Sequence, residues 1–85
     1  MRRAVVAHLV DRGGSAASAA TCTALGIAHR QSLAGHVNLL IRGGFAWVRF
    51  TGRGNQRAAI INVTRRGRTA LARMLNSEPM EHLSP

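Results

Sequence analysis

The chain has 85 residues, is 46% hydrophobic with only one Trp and two Phe, and carries a net charge of +9. That suits one small folded domain with a thin aliphatic core and excludes a disordered polymer. A single Cys excludes an internal disulfide, and no apolar run reaches membrane-spanning length, so a basic cytoplasmic protein without a membrane segment is expected.

Arg2 to Arg12 reads as a first helix with Val5, Val6, Leu9 and Val10 as its buried stripe, ended by Gly13-Gly14. His8 reads as an ordinary helix residue, solvated or partly packed. Asp11 near the helix end opposes the dipole and calls for an Arg partner. Ser15 to Ala17 is a short connector or a single strand pairing with a later hairpin. Ser18 to Leu25 reads as a second, Ala-rich helix, with Ser15 or Ser18 as N-cap and Gly26 as its stop. Ile27 would pack inward across the turn, and Cys22 reads as a small packed thiol.

Arg30 to Arg42 reads as a third helix, with Leu33, Val37, Leu40 and Ile41 at the i, i+4, i+7, i+8 positions of one apolar face. Its other face holds Arg30, Gln31, Ala34, Gly35, Asn38 and Arg42, small, polar or cationic with no acid. Gly43-Gly44 supplies its stop through the left-handed conformation that glycine accepts. The second helix, the turn Gly26 to His29 and the third helix form a helix-turn-helix. His29 reads as a turn residue, either solvent-facing or touching phosphate. His36 lies too far from it for both to bind one metal.

Phe45 to Thr51 alternates as a strand, Gly52 to Arg57 is a flexible basic turn, and Ala58 to Val63 is the return strand. This hairpin, following a helix-turn-helix, reads as a wing. Trp47 and Phe50 lie on opposite strand faces, so one should pack on the helices and the other be exposed or in a dimer contact. Thr64 is a good N-cap for a fourth helix, Arg65 to Asn76, with Leu71, Met74 and Leu75 as its apolar face. Arg65, Arg66 and Arg68 in its first turn oppose the helix dipole, so they are either solvated or engaged with an anionic partner. Residues 77–85 lack periodicity and contain Pro79, and read as a tail after a domain spanning residues 1–76.

The charge narrows the partner. All 12 cations are Arg, and Asp11 is the one acid before Asn76. A basic body of this kind fits a polyanion, nucleic acid first, and an anionic membrane or an acidic protein second. No paired carboxylates, phosphate loop, metal-ligand spacing or nucleophile–base pair is present, so neither an enzyme nor a cofactor is expected. Structured RNA is a third, weaker option, and absence of an exposed aromatic platform argues against single-stranded nucleic acid.

The order of these features, with "RGGF" closing the third helix and "VTRRGRTAL" after the hairpin, resembles the winged helix-turn-helix core of bacterial MarR- and PadR-type transcriptional regulators. Gly44-Phe45 match the glycine and apolar residue that open that family's wing. Val63, Thr64, Gly67 and Leu71 match its apolar-Thr-x-x-Gly-x-x-x-Leu segment. The resemblance spans about Val5 to Leu75. It implies an α+β, mostly α fold: a three-helix core, a two-stranded wing and a C-terminal helix. It also implies double-stranded DNA as partner, with the third helix in the major groove. The matching groove positions are Arg30, Gln31, Ser32, Ala34, Gly35 and Asn38. The wing match is Arg53, Asn55, Gln56 and Arg57, with Arg65, Arg66 and Arg68 adding phosphate contacts. Gln31 and Asn38 suit adenine edges and Arg30 guanine.

Three departures stand beside the match. The turn before the third helix is about one residue long for the family. The fourth helix opens with Arg where the family often has an acid or Ala. The long flanking helices that dimerise such regulators have no room, although a thin core favours a homodimer through the first helix, the fourth helix and the tail. The alternative reading is a winged-helix module that binds protein, as an anti-repressor or an inhibitor of a nucleic-acid-handling partner, of phage or plasmid type.

Overall fold

The computed structural model describes residues 1–77, and the tail residues 78–85 lie outside the described residues. Four helices and three strands follow in the order α1 (Arg2–Asp11), β1 (Ser15–Ala17), α2 (Ser18–Leu25), α3 (Arg30–Arg42), β2 (Ala46–Thr51), β3 (Ala58–Val63) and α4 (Arg65–Ser77). The strands form one antiparallel sheet in the order β1-β3-β2. The connector Ser15 to Ala17 therefore is a strand, with Ala16 opposite Ile61. The fold is a winged helix-turn-helix.

Glycines close the first three helices in one manner. In α3, Gly44 is left-handed at φ 78°, while Gly43 stays right-handed at φ −79°. The Phe45 amide donates to Leu40 O at 2.8 Å and the Gly44 amide to Ile41 O at 3.0 Å, the paired bonds of a Schellman stop. Of the two glycines expected to supply the left-handed turn, Gly44 alone does so. Gly26 ends α2 the same way at φ 68°, with the Ile27 amide donating to Cys22 O at 2.9 Å. That bond turns the chain so that Ile27 packs against the core.

The core joins Val5, Val6 and Leu9 of α1 to Cys22 of α2 and Leu33, Val37 and Leu40 of α3. Ala46, Ile61, Val63 and Leu71 complete it from the sheet and α4. Val10 is only partly buried. Thr21, fully buried, donates its hydroxyl to Ala17 O at 3.0 Å, so burial leaves it satisfied.

Ile41, assigned to the core by its spacing, is 41% exposed. At about 100° per residue it lies about 80° round the helix from Leu33, whereas Val37 and Leu40 fall within about 40°. The buried stripe is narrower than the apolar one. Neither Ser15 nor Ser18 caps α2: its N-cap is Ala17, and no side chain bonds the helix start. Asp11 forms no ion pair among the described residues.

Thr64 ties the fourth helix to the corner where α3 meets the wing. Its Oγ1 accepts from the Gly67 amide at 3.1 Å and donates to Gly44 O at 2.7 Å. Its own amide donates to Phe45 O at 3.0 Å. Thr64→Val removes the cap and leaves the Gly44 carbonyl without that donor. It is expected to cost about 1–2 kcal/mol, read as a lower urea midpoint at unchanged m-value. An unchanged midpoint would show that water replaces both bonds.

Candidate nucleic-acid interface

Burial along the hairpin shows how the wing leaves the body. On the face of β2 toward the helices, Ala46 is buried, Val48 half-buried and Phe50 60% exposed. The paired residues of β3, Val63, Ile61 and Ala59, follow the same gradient from buried to half-buried. The wing thus projects past the core, and Phe50 is not packed into it. Trp47 is on the opposite sheet face and is 49% exposed. Both large aromatics of the strand are therefore exposed, whereas the alternation anticipated one packed on the helices. Strand periodicity assigns a face; it does not say where along the strand that face runs out of body to pack on.

A groove of about 540 Å³ separates α3 from the wing. Arg30, Ala34, Asn38 and Ile41 line it from α3, and Val48, Phe50 and Arg57 from the hairpin. Ser18 at the start of α2 also lines it. Arg57 stands over the Phe50 ring, its Cζ 4.5 Å from the ring centroid.

The anticipated residues divide into three groups. Arg30, Ala34 and Asn38 flank the groove with Arg57. Gln31, Ser32 and Gly35 are exposed further round α3, about 160–260° from Leu33. Arg53 precedes the 3-10 turn Gly54–Gln56 at the wing tip, which contains Asn55 and ends at Gln56. Arg30, Gln31, Ser32, Asn38 and Arg53 have no side-chain partner among the described residues. Their donors and acceptors face water, open to an external ligand.

Arg65, Arg66 and Arg68 fall elsewhere. They follow β3 directly, at the base of the hairpin, about 20 Å of strand away from the tip. Arg66 stands over the Phe45 ring at 5.2 Å. Arg68 reaches back to Gly13 O at 3.4 Å. Two of these three cations thus have partners at the junction of α1, α3 and α4. Nearness in sequence to Arg57 did not reveal this, because a six-residue strand intervenes.

Asp11, at the far end of α1, is the one carboxylate side chain among the described residues, so nothing opposes the positive charge of this face. His29 is exposed at the N-cap of α3 without a capping side-chain bond. No cluster of three potential metal ligands and no helix long and apolar enough to cross a membrane occurs among the described residues. A second groove, of about 340 Å³, lies between α1, α3 and α4, lined by Val6, Leu39, Leu40, Phe45, Leu71 and Met74.

The fold and this surface define the winged-helix class. Comparison with solved structures agrees. A transcriptional regulator homologue protein from Pyrococcus horikoshii OT3 superposes with a TM-score of 0.83 at 19% identity, over 99% of this chain and 83% of that one. Bacillus subtilis PadR in complex with operator DNA superposes with a TM-score of 0.72 at 18% identity, over 87% of this chain and 44% of that one. This chain therefore spans less than half the length of that PadR chain. No protein-family model and no curated protein matches the sequence.

Proposed function

We propose that this chain is a small, sequence-specific double-stranded DNA-binding transcriptional regulator. The observation that carries the reading is the unpartnered polar face of α3 beside the Arg-bearing wing, on a domain of net charge +9. In this reading α3 enters the major groove and reads base edges through Arg30, Gln31 and Asn38. Ala34 and Gly35 permit close approach, with Ser32 contacting backbone or base. Arg53 and Arg57, with Asn55 and Gln56 between them, hold phosphate or the adjacent minor groove. Arg65, Arg66 and Arg68 come into play only on a duplex that runs past the C-terminus of α3. The operator in the Bacillus subtilis PadR structure supports duplex DNA as the ligand class. The reading includes a homodimer, with the apolar groove between α1 and α4 as its contact, acting in the cytoplasm.

The test is fluorescence anisotropy with a mixed-sequence duplex over a salt series, comparing the wild type with Arg53→Ala/Arg57→Ala. Binding should weaken linearly in log–log form with salt. The double variant should have a slope shallower by about 2, from two lost phosphate contacts. No binding at low salt would reject the reading.

One observation favours a second reading, a protein-binding module. Ile41 and Phe50 expose apolar surface at 41% and 60% in the same groove. A partner helix with acidic and apolar residues would cover both them and the Arg side chains. Capture of a partner by a protein that ignores duplex DNA would establish it.

A further inference from the structure

We infer that Phe50 is a positioning residue of the nucleic-acid surface: its ring holds the Arg57 guanidinium at the groove beside α3. The recognition helix and the wing then grip the same stretch of DNA backbone. This rests on the DNA-binding reading above.

Phe50 has no packing role that explains it. It is 60% exposed at the outer end of β2, and its cross-strand partner is Ala59. The other Phe offers the contrast. Phe45 also lies under an Arg, Arg66 at 5.2 Å, but it packs against the core. Removing the Phe45 ring would remove core contacts, whereas Phe50 belongs neither to the core nor to the residues packed on it, and its ring contact is to Arg57.

The contact leaves Arg57 able to bind. A guanidinium carries five N–H donors in a planar fork, more than one ring face can engage, so donors stay free for phosphate oxygens. Phe50 and Arg57 line one wall of the groove and Arg30 lines the facing wall on α3. A strand of backbone entering there meets a cation from each side. Arg53 lacks such a support: it is exposed at the tip with no side-chain partner among the described residues. An Arg held in one orientation before the ligand arrives loses less freedom on binding than one that is not. The two wing cations therefore have different roles, Arg53 a mobile reach and Arg57 a fixed grip.

The experiment measures affinity for one duplex at fixed salt for Phe50→Ala, Phe50→Leu, Phe50→Tyr, Arg57→Ala and the Phe50→Ala/Arg57→Ala pair, with thermal melting of each. Phe50→Ala and Phe50→Leu should each lose about 2- to 5-fold in affinity. Phe50→Leu keeps apolar bulk without a π-face, so it separates the ring's charge contact from its packing. Phe50→Tyr should bind as the wild type does. In the Arg57→Ala background, Phe50→Ala should have no further effect, because nothing remains to be positioned. Wild-type affinity in Phe50→Ala, or fully additive losses in the pair, would overturn the inference. A loss in Phe50→Ala much larger than in Arg57→Ala would also overturn it, by making Phe50 a direct contact. A wild type that binds no duplex at any salt would instead overturn the DNA reading itself, and this inference with it.

Discussion

Gly67→Ala is expected to destabilise the domain by about 1–3 kcal/mol, lowering its melting temperature by at least about 4–8 °C for a chain of this size. Helix propensity alone predicts the opposite, because alanine in a helix is favoured over glycine by about 1 kcal/mol. The surroundings of Gly67 decide the sign. It is the third residue of α4, buried where that helix starts against the corner formed by Phe45 and Val63. A Cβ there would overlap the Phe45 carbonyl oxygen and come within 2.7 Å of Val63 Cγ2. The carbonyl cannot simply retreat, since it accepts the Thr64 amide at 3.0 Å. Nor can the helix start lift away without stretching the 3.1 Å bond from the Gly67 amide to Thr64 Oγ1. Gly35→Ala is the control of opposite sign. Gly35 is exposed on α3, has no positive φ, and nothing lies within 4 Å of where its Cβ would stand. It should raise the melting temperature by the propensity term alone. Equal stabilisation by both substitutions would mean that the α4 corner yields freely.

Gly67 also marks how much of the molecule could be read in advance. The Val63-Thr64-x-x-Gly67 pattern suggested the corner through resemblance, and the structure supplies its reason: a cap at Thr64 and a contact too close for a side chain at Gly67. Punctuation of this kind is local chemistry, so the bounds of α2 and β3, flanked by Gly26 and Thr64, agree with expectation. β1 was legible only as an option, because three residues carry no periodicity and their pairing depends on β3, more than forty positions away in sequence.

The candidate site was legible in its parts and not in its arrangement. Helical spacing separated the Leu33 face of α3 from the Asn38 face. It could not show that Ile41 lies on the flank toward the wing, because the stripe's width depends on what packs against it. Strand alternation separated Trp47 from Phe50, yet both are exposed, because the wing outruns the body. The cluster of Arg around the hairpin looked like one surface in sequence. In three dimensions Arg53 and Arg57 stand at its tip end, while Arg66 and Arg68 are engaged at its base, with Phe45 and Gly13.

Asn38→Ala is expected to cost about 1–3 kcal/mol on a preferred DNA site, a loss of about 5- to 150-fold, with little change on other sequences. Asn38 stands near the middle of α3, about 140° round from Leu33, and lines the groove to the wing. Its carboxamide has no partner among the described residues. Such a group can donate and accept at once, which is what an adenine edge in the major groove requires. Arg53→Ala should behave differently. On the proposed reading a guanidinium at the exposed wing tip would act through phosphate, which every sequence carries, so its loss should weaken all duplexes alike. The salt slope should then fall by about 0.9 for the one phosphate contact removed. The experiment selects a preferred duplex from random sequence with the wild type, then measures both variants on that duplex and on a scrambled one. Losses for Asn38→Ala confined to the selected duplex would assign α3 to base reading and the wing to backbone. Equal losses on both duplexes for both variants would reject direct readout by α3 and reduce the domain to a charge-driven binder. The contrast does not depend on absolute affinity, because a general loss of folding would lower binding to both duplexes and mimic only the second result, and a melting curve of each variant identifies that case.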